Sequence, residues 1–334
     1  MTQLTRRQML VGTAAAALAA AVKLTAPAAV GASAPAVGRQ APGFYRYKVG
    51  SIEVAVVTEG VTHFPVTDGF VLNATKEEVN NALAAAFMEK DVCVIPFNPI
   101  VVNTSAKLAV IDTGYGEAAY KASQGAHGQF LTNLAAAGID AKTVDVVIIS
   151  HYHSDHLNGL LKADNSLAFP NAEILVPAPE HKYWMDDGEM SQASTPRIQG
   201  VFKNVRRVMR GGEVFKRLRT YEWGQEVIPG VTAVGTPGHT PGHTSHIIAS
   251  GTSKVYVQGD LSIVPFLFVR NPGWRPFFDH DPIQAEATRR EVYDMLVAEK
   301  MLVQAYHYPF PALAHVEKTA TGYREVPVVW NPTI

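Results

Sequence analysis

A single cysteine, Cys93, among 334 residues leaves the chain without a partner for an intramolecular disulfide. It sits in the apolar run Asp91-Val92-Cys93-Val94-Ile95 and reads as a small buried hydrophobe. An excess of charge of one sign is also missing: 29 Lys and Arg stand against 30 Asp and Glu, a formal charge of −1, and no long basic run occurs. Nucleic-acid binding normally requires a basic stripe that displaces counterions, so that class of partner is set aside. No tandem repeat and no low-complexity linker interrupts the chain. The apolar stretch Val11 to Val22 is too short and too rich in alanine for a membrane span. What is present is ample apolar material, 47% of residues. The roughly 300 residues beyond the N-terminal segment can bury a full core as one large domain or two fused layers.

The densest chemistry lies in His151-Tyr152-His153-Ser154-Asp155-His156, directly after the apolar run Val144 to Ile149. Four potential metal ligands fall within six residues of a chain that holds only 12 His, which marks a metal site. Extended backbone alternates its side chains, so His151 and His153 can grip one ion, while Asp155 and His156 reach a second as the chain turns. Further candidates follow other apolar runs. His239 lies in Thr236-Pro237-Gly238-His239-Thr240-Pro241-Gly242-His243 after Val231 to Val234, Asp260 ends Val255-Tyr256-Val257, and His307 follows Leu302 to Tyr306. Each sits just past a predicted strand, where sheet scaffolds place functional loops.

The His-x-His-x-Asp-His run together with His239, Asp260 and His307 resembles the metallo-β-lactamase superfamily in its two-metal hydrolase form. Within that superfamily the chain is similar to the methyl parathion hydrolase group from Ala41 to about Val328. Shared markers are Ala41-Pro42-Gly43-Phe44-Tyr45, Val110-Ile111-Asp112-Thr113-Gly114, Leu167 to Ala172, Gly238 to His243 and His307-Tyr308-Pro309-Phe310-Pro311. The resemblance implies an αββα sandwich with the metals at one end between the sheets. It implies His151, His153 and His239 on one ion, Asp155, His156 and His307 on the other, and Asp260 bridging them, with Asp155 and Asp260 serving catalysis. Asp112 is read as orienting a ligand loop or capping its strand. Asp260 stands near the stage of the chain where many true β-lactamases carry a cysteine ligand, which argues against a β-lactam specialist.

Nitrogen and oxygen ligands without thiolate suit two divalent ions, zinc first, with manganese, cobalt or iron as alternatives. The implied reaction is attack of a metal-bridging hydroxide on a lactone, an aryl ester or an organophosphate triester. Pocket walls are expected from the aromatic-rich stretch Leu261 to Phe268, including Phe266, from Trp274 to Phe278, and from Trp184 and Phe202; such apolar walls suit a small hydrophobic substrate. Acyl-homoserine lactonases of this superfamily place tyrosine three positions after the bridging aspartate, and here that residue is Ile263, which weakens a dedicated quorum-signal role. An iron-dependent oxidoreductase on the same scaffold is the other alternative, although the flavodiiron pattern has an acidic residue where this chain has His153. His243 and His246 are read as satisfied structural histidines, and His315 as a neighbour of the ligands.

The N-terminus reads as an address. Thr5-Arg6-Arg7-Gln8-Met9-Leu10 is a twin-arginine pattern, followed by the apolar stretch and by small residues around Ala26-Pro27-Ala28. Residues 1–34 are expected to be a twin-arginine signal peptide, with a Sec signal or uncleaved anchor as the alternative, and residues 41–334 the folded domain. Periplasmic export of a folded protein would let the metals load beforehand and would leave no membrane attachment after cleavage. A homodimer is compatible with this reading. Within the domain, Ile52 to Val57 and Lys107 to Ile111 are predicted strands, and Gln129 to Ala137 a helix ended by Gly138. Asp281-Pro282-Ile283-Gln284 starts a further helix, with Val292/Leu296 and Tyr293/Val297 as its apolar i, i+4 pairs. Strands followed by helices in both halves predict an α/β layer structure.

Overall fold

Alternation of apolar residues along the strands decides the architecture. In the computed structural model, which describes Gly38 and residues 40–334, Val54 and Val56 turn to one side of their strand while Ala55 and Val57 turn to the other. Both sides are buried, so both faces of the sheet must be covered. The first sheet contains β1 (Phe44–Val49) and β2 (Ile52–Val57), and then β5 (Ile100–Asn103), β6 (Leu108–Ile111), β7 (Val146–Ile148), β8 (Glu173–Pro177) and β9 (Leu218–Tyr221), in the order β1-β2-β5-β6-β7-β8-β9. A separate hairpin pairs β3 (Gly60–Pro65) with β4 (Val92–Phe97). The second sheet runs in sequence order through β10 (Glu226–Ile228), β11 (Val231–Gly235), β12 (Thr244–Ser250), β13 (Ser253–Val257), β14 (Leu302–Gln304), β15 (Leu313–Lys318) and β16 (Tyr323–Pro327).

Four apolar clusters fill the layers. One lies between the sheets, with Val54, Val56, Ile111 and Ile148 facing Val231, Ile248 and Val255. Another covers the outer face of the first sheet, where Phe202, Val205 and Met209 of the helix Pro196–Met209 and Trp184 of the helix Ala178–Met185 pack on Val147, Ile149 and Val176. On the outer face of the second sheet the helix Pro282–Glu299 lays Val292, Tyr293 and Leu296 against Tyr256 and Val303. The fourth joins the hairpin to the segment Ile263 to Phe268. This is the expected αββα sandwich.

The predicted elements fall where the sequence placed them. The long helix begins at Pro282 with Asp281 as its cap, accepting hydrogen bonds from the amides of Ile283 and Gln284. The helix Phe130–Ala136 is followed by Gly138 at φ +77°. Cys93 is buried, and its burial pushes the thiol up to about 12. Among the described residues no helix is long and apolar enough to cross a membrane. The twin-arginine segment and the apolar stretch after it lie outside the described residues; the unit Ala41–Ile334 is the one described below.

Strand direction gathers the candidate ligands. β6, β7 and β8 pair in parallel, so Asp112 and the His151 loop leave the same edge of the first sheet. β13 and β14 are also parallel, which delivers Asp260 and His307 to one edge of the second sheet. β11 is antiparallel to β12 and β12 to β13, so β11 ends at that edge too and hands on to His239.

Candidate metal centre and pocket

The sequence-predicted ligands form two groups. The donor atoms of His151, His153, His239 and Asp260 lie within 4.8 Å of one another, as do those of Asp155, His156, Asp260 and His307. Asp260 belongs to both. Its Oδ1 is 3.1 Å from His156 Nε2, and its Oδ2 is 3.2 Å from His239 Nε2 and 3.1 Å from His307 Nε2. His153 Nδ1 and His239 Nε2 approach to 2.9 Å, so the two ring nitrogens share a proton or a cation. Among the described residues, the buried Nε2 atoms of His151 and His156 and Oδ1 of Asp260 have no hydrogen-bond partner. Buried polar atoms are rarely left unpaired, and here they converge on the two groups. The donor set therefore fits two divalent ions.

A second layer of contacts sets which ring nitrogen is free to coordinate. His151 Nδ1 donates to Ser150 Oγ at 3.0 Å, His156 Nδ1 to Asp112 Oδ2 at 2.8 Å, His239 Nδ1 to Asp279 Oδ1 at 2.9 Å and His307 Nδ1 to the Pro96 carbonyl at 2.7 Å. Asp112 orients the ligand loop, the first of the two roles foreseen for it, because the amide and hydroxyl of Ser150 also donate to it, at 2.8 and 2.7 Å. Burial, reinforced by neighbouring histidines, holds His151 and His153 well below the usual imidazole range, so both present neutral lone pairs. Burial also lowers His239, but Asp260 and Asp279 on either side outweigh it and bring the ring up to about 9. Burial opposes ionisation of Asp260, yet His156, His307 and His151 keep its carboxyl well below the usual range.

Glu180 carried no signal in the sequence reading, whereas His243 is the structural histidine that reading expected. Glu180 is fully buried and accepts four hydrogen bonds, from the amides of Tyr152 and Gly242, the Thr240 hydroxyl and the Trp184 indole, each at 2.8 Å. It thereby ties the loop carrying His151 and His153 to the loop carrying His239. Gly242 is required there, since a Cβ would meet the Glu180 amide at 2.0 Å. His243 is no ligand: its Nε2 accepts from the Asp260 amide at 2.9 Å and its Nδ1 donates to Thr236 Oγ1 at 2.8 Å, so it positions the shared carboxylate through the backbone. Burial, with His239 beside it, lowers His243 to about 3 and keeps Nε2 an acceptor. The Tyr306 ring packs on His156 with centroids 4.0 Å apart and the planes tilted by 33°, and its hydroxyl donates to the Asp155 carbonyl.

Above the two groups opens a cavity of about 380 Å³, with His153, Asp155, His239, Asp260 and His307 on its floor. Its apolar walls are Phe64, Ile95, Phe97, Ile263, Phe277 and Phe278. The expectation for Trp184 and Phe202 is corrected: both are fully buried in the core outside the first sheet. Phe266 is corrected as well, since it packs half-buried against the hairpin cluster and does not line the cavity, whereas its neighbour Ile263 does. The hairpin residues Phe64, Ile95 and Phe97 were missed, although Thr62/Phe64 and Ile95/Phe97 show the two-residue alternation of strands with one face on a cavity. His315 is exposed on β15 and does not neighbour the ligands.

Comparison with known proteins agrees with this geometry. Residues 97–302 match the profile of the metallo-beta-lactamase superfamily. The chain is similar to N-acyl homoserine lactonases of Bacillus sp. and of Bacillus thuringiensis subsp. kurstaki, 26% identical over 172 residues in each case. The match covers 51% of this chain and 58% of each relative, so the chain spans little more than half the length of these curated relatives. Among solved structures it resembles AidC, a dizinc quorum-quenching lactonase in complex with a product N-acylated L-homoserine, at a TM-score of 0.79 and 26% identity over 87% of this chain and 99% of that one. It resembles equally the hydrolase AbOPH of the beta lactamase superfamily, at a TM-score of 0.79 and 25% identity over 88% of this chain and 100% of that one.

Proposed function

The chain belongs to the metallo-β-lactamase superfamily, and within it we propose a dinuclear metal-dependent hydrolase that opens lactones, with zinc as its metal and aryl esters and organophosphate triesters as further substrates. The observation that carries the reading is the sharing of Asp260 between two ligand groups on the floor of an apolar cavity. The naming of curated relatives as N-acyl homoserine lactonases supports the lactone as the leading substrate class. When bound, two divalent ions supply a nucleophile at neutral pH, because coordination lowers the pKa of water from about 15.7 to about 7, and they hold negative charge developing on the attacked oxygen.

The protein's own groups supply position and selection. His151, His153 and His239 would hold one ion, Asp155, His156 and His307 the other, with Asp260 between them. Asp112, Asp279 and the Pro96 carbonyl fix the rings so that no reorganisation is needed during reaction. Asp155 lines the cavity, where it would take the proton released by the attacking water and pass it to the departing oxygen as the bond to the attacked centre breaks. Phe64, Phe97, Phe277 and Phe278 exclude water from the reacting group and select by shape. An added or missing methylene against such a wall is worth only about 1–3 kcal/mol, which favours broad, overlapping substrate use. Lactone and triester hydrolysis place charge on an oxygen in the same way, so one site serves both. A hydrolysis screen of γ-lactones, aryl acetates and phosphotriesters on metal-defined protein tests the proposal. Lactone opening is expected first; turnover of none of the three overturns it.

A further inference from the structure

The helix Pro196–Met209 divides into two faces. Phe202, Val205, Val208 and Met209 are buried in the core. Arg197, Gly200, Val201 and Asn204, at i, i+3, i+4 and i+7, all line the cavity. Arg197 is the one Lys or Arg among the described lining residues. It is half-buried, with its guanidinium 5.9 Å from the centroid of the Phe277 ring, and among the described residues no carboxylate oxygen lies within 4 Å of it. The carboxylates on the cavity floor, Asp155 and Asp260, are engaged with the ligand histidines. Burial lowers the pKa of this guanidinium from its ordinary value, with Asp279 opposing the shift. Beside it, Gly200 offers open space, since a Cβ there would meet nothing within 4 Å.

A guanidinium with an aromatic wall on one side and no carboxylate partner is a fork of donors waiting for a planar acceptor. We propose that Arg197 is a specificity-determining residue that donates to a second acceptor on the substrate, separate from the scissile carbonyl, so that the preferred lactones carry an amide, keto or similar carbonyl on the side arm. Gly200 leaves room for that arm to pass, and the apolar wall takes its hydrocarbon portion. The proposal rests on the hydrolase reading above and deepens it. Apolar walls alone would rank substrates by chain length; a half-buried donor beside an aromatic wall ranks them by whether the acceptor is present, a sharper discrimination.

The test compares two γ-lactones of equal arm length, one with an acylamino substituent and one with a plain alkyl substituent, in wild type, Arg197→Ala and Arg197→Lys. For Arg197→Ala, kcat/KM on the acylamino lactone is expected to fall by about 10- to 100-fold, the loss of a charge-assisted hydrogen bond, chiefly through KM. The alkyl lactone should change by less than about twofold on that same scale, and Arg197→Lys should restore part of the loss. Metal content and melting temperature should stay at the wild-type values. Equal losses on both lactones, or none on either, overturn the proposal. If wild type opens neither ring, the hydrolase reading is at fault. Calorimetric binding of the two ring-opened acids, which needs no turnover, then still decides the role of Arg197: discrimination between them that vanishes in Arg197→Ala supports it, and equal binding of both acids by wild type refutes it.

Discussion

His239 donates through Nδ1 to Asp279, whose second oxygen accepts from the buried guanidinium of Arg289 at 3.2 Å. Arg289 also donates to the Leu261 carbonyl, one residue after Asp260, at 2.9 Å. The helix Pro282–Glu299 thus holds the His239 ring and the turn after the shared carboxylate through one side chain. Replacing Asp279 by Asn should weaken metal binding at the His239 group by about 10- to 100-fold and leave the other group nearly unchanged. Competition with a chelator, read as two separate affinities, checks this; equal loss at both groups would mean that Asp279 acts on the fold as a whole.

Glu180 should act on stability before activity. Glu180→Ala strands four buried donors at once, from Tyr152, Trp184, Thr240 and Gly242. Removing one partner of a buried charged network typically costs about 3–5 kcal/mol. Chemical denaturation of the variant is expected to show a loss of that order, with Glu180→Gln intermediate because it keeps one acceptor.

Trp184→Ala and Phe277→Ala should behave differently. Trp184 is core, so its removal is expected to cost about 3–5 kcal/mol and to lower turnover evenly across substrates. Phe277 lines the cavity, so its truncation should change the ranking of substrates by up to about a hundredfold with metal content fixed. Re-ranking by the Trp184 variant and even loss by the Phe277 variant would reverse this assignment.

These two aromatics also show where sequence reading stops. The run His151 to His156 was legible because one strand end delivers four ligands together, and the cap at Asp281 because its signal spans four residues. Residue type alone did not tell Phe202 from Phe277, since large aromatics serve cores and pockets alike. Helical phase could have done so: Phe202 shares its face with Val205 and Met209, turned away from Arg197 and Gly200. The role of Glu180 left no local trace, because its donors come from four residues as far apart as Tyr152 and Gly242 and meet only in the folded chain.

Glu59 is expected to make the metal-free protein sensitive to pH. Burial raises its carboxyl to about 8, against hydrogen bonds from the amides of Tyr115 and Gly116 that lower it. The folded state therefore favours the protonated form, and its contribution to stability, full below the unfolded pKa of about 4.3, is lost as pH rises toward 8. The expected slope is up to about 1.4 kcal/mol per pH unit across that window. Melting of the metal-free protein from pH 5 to 8 should show the decline, and Glu59→Gln should make it shallower, the more so below about pH 6.5 where the raised His239 does not yet contribute. Loading with divalent cations near Asp155 and His156 should lower the Glu59 pKa and shift the decline to lower pH.

Export is expected to depend on Arg6 and Arg7. Changing both to Lys keeps the charge that a Sec signal needs but removes the twin-arginine pattern. Cell fractionation should find the paired-Lys protein retained inside; normal appearance in the periplasm would assign the segment to another route.

The two-ion hydrolase is tested most directly by titrating metal-depleted protein with Zn²⁺ while following γ-lactone opening. Activity should be absent at the start and rise to a plateau at about two equivalents, and Asp260→Asn should reach no such plateau because both groups use that carboxylate. A plateau at one equivalent, or undiminished turnover without metal, would contradict the account.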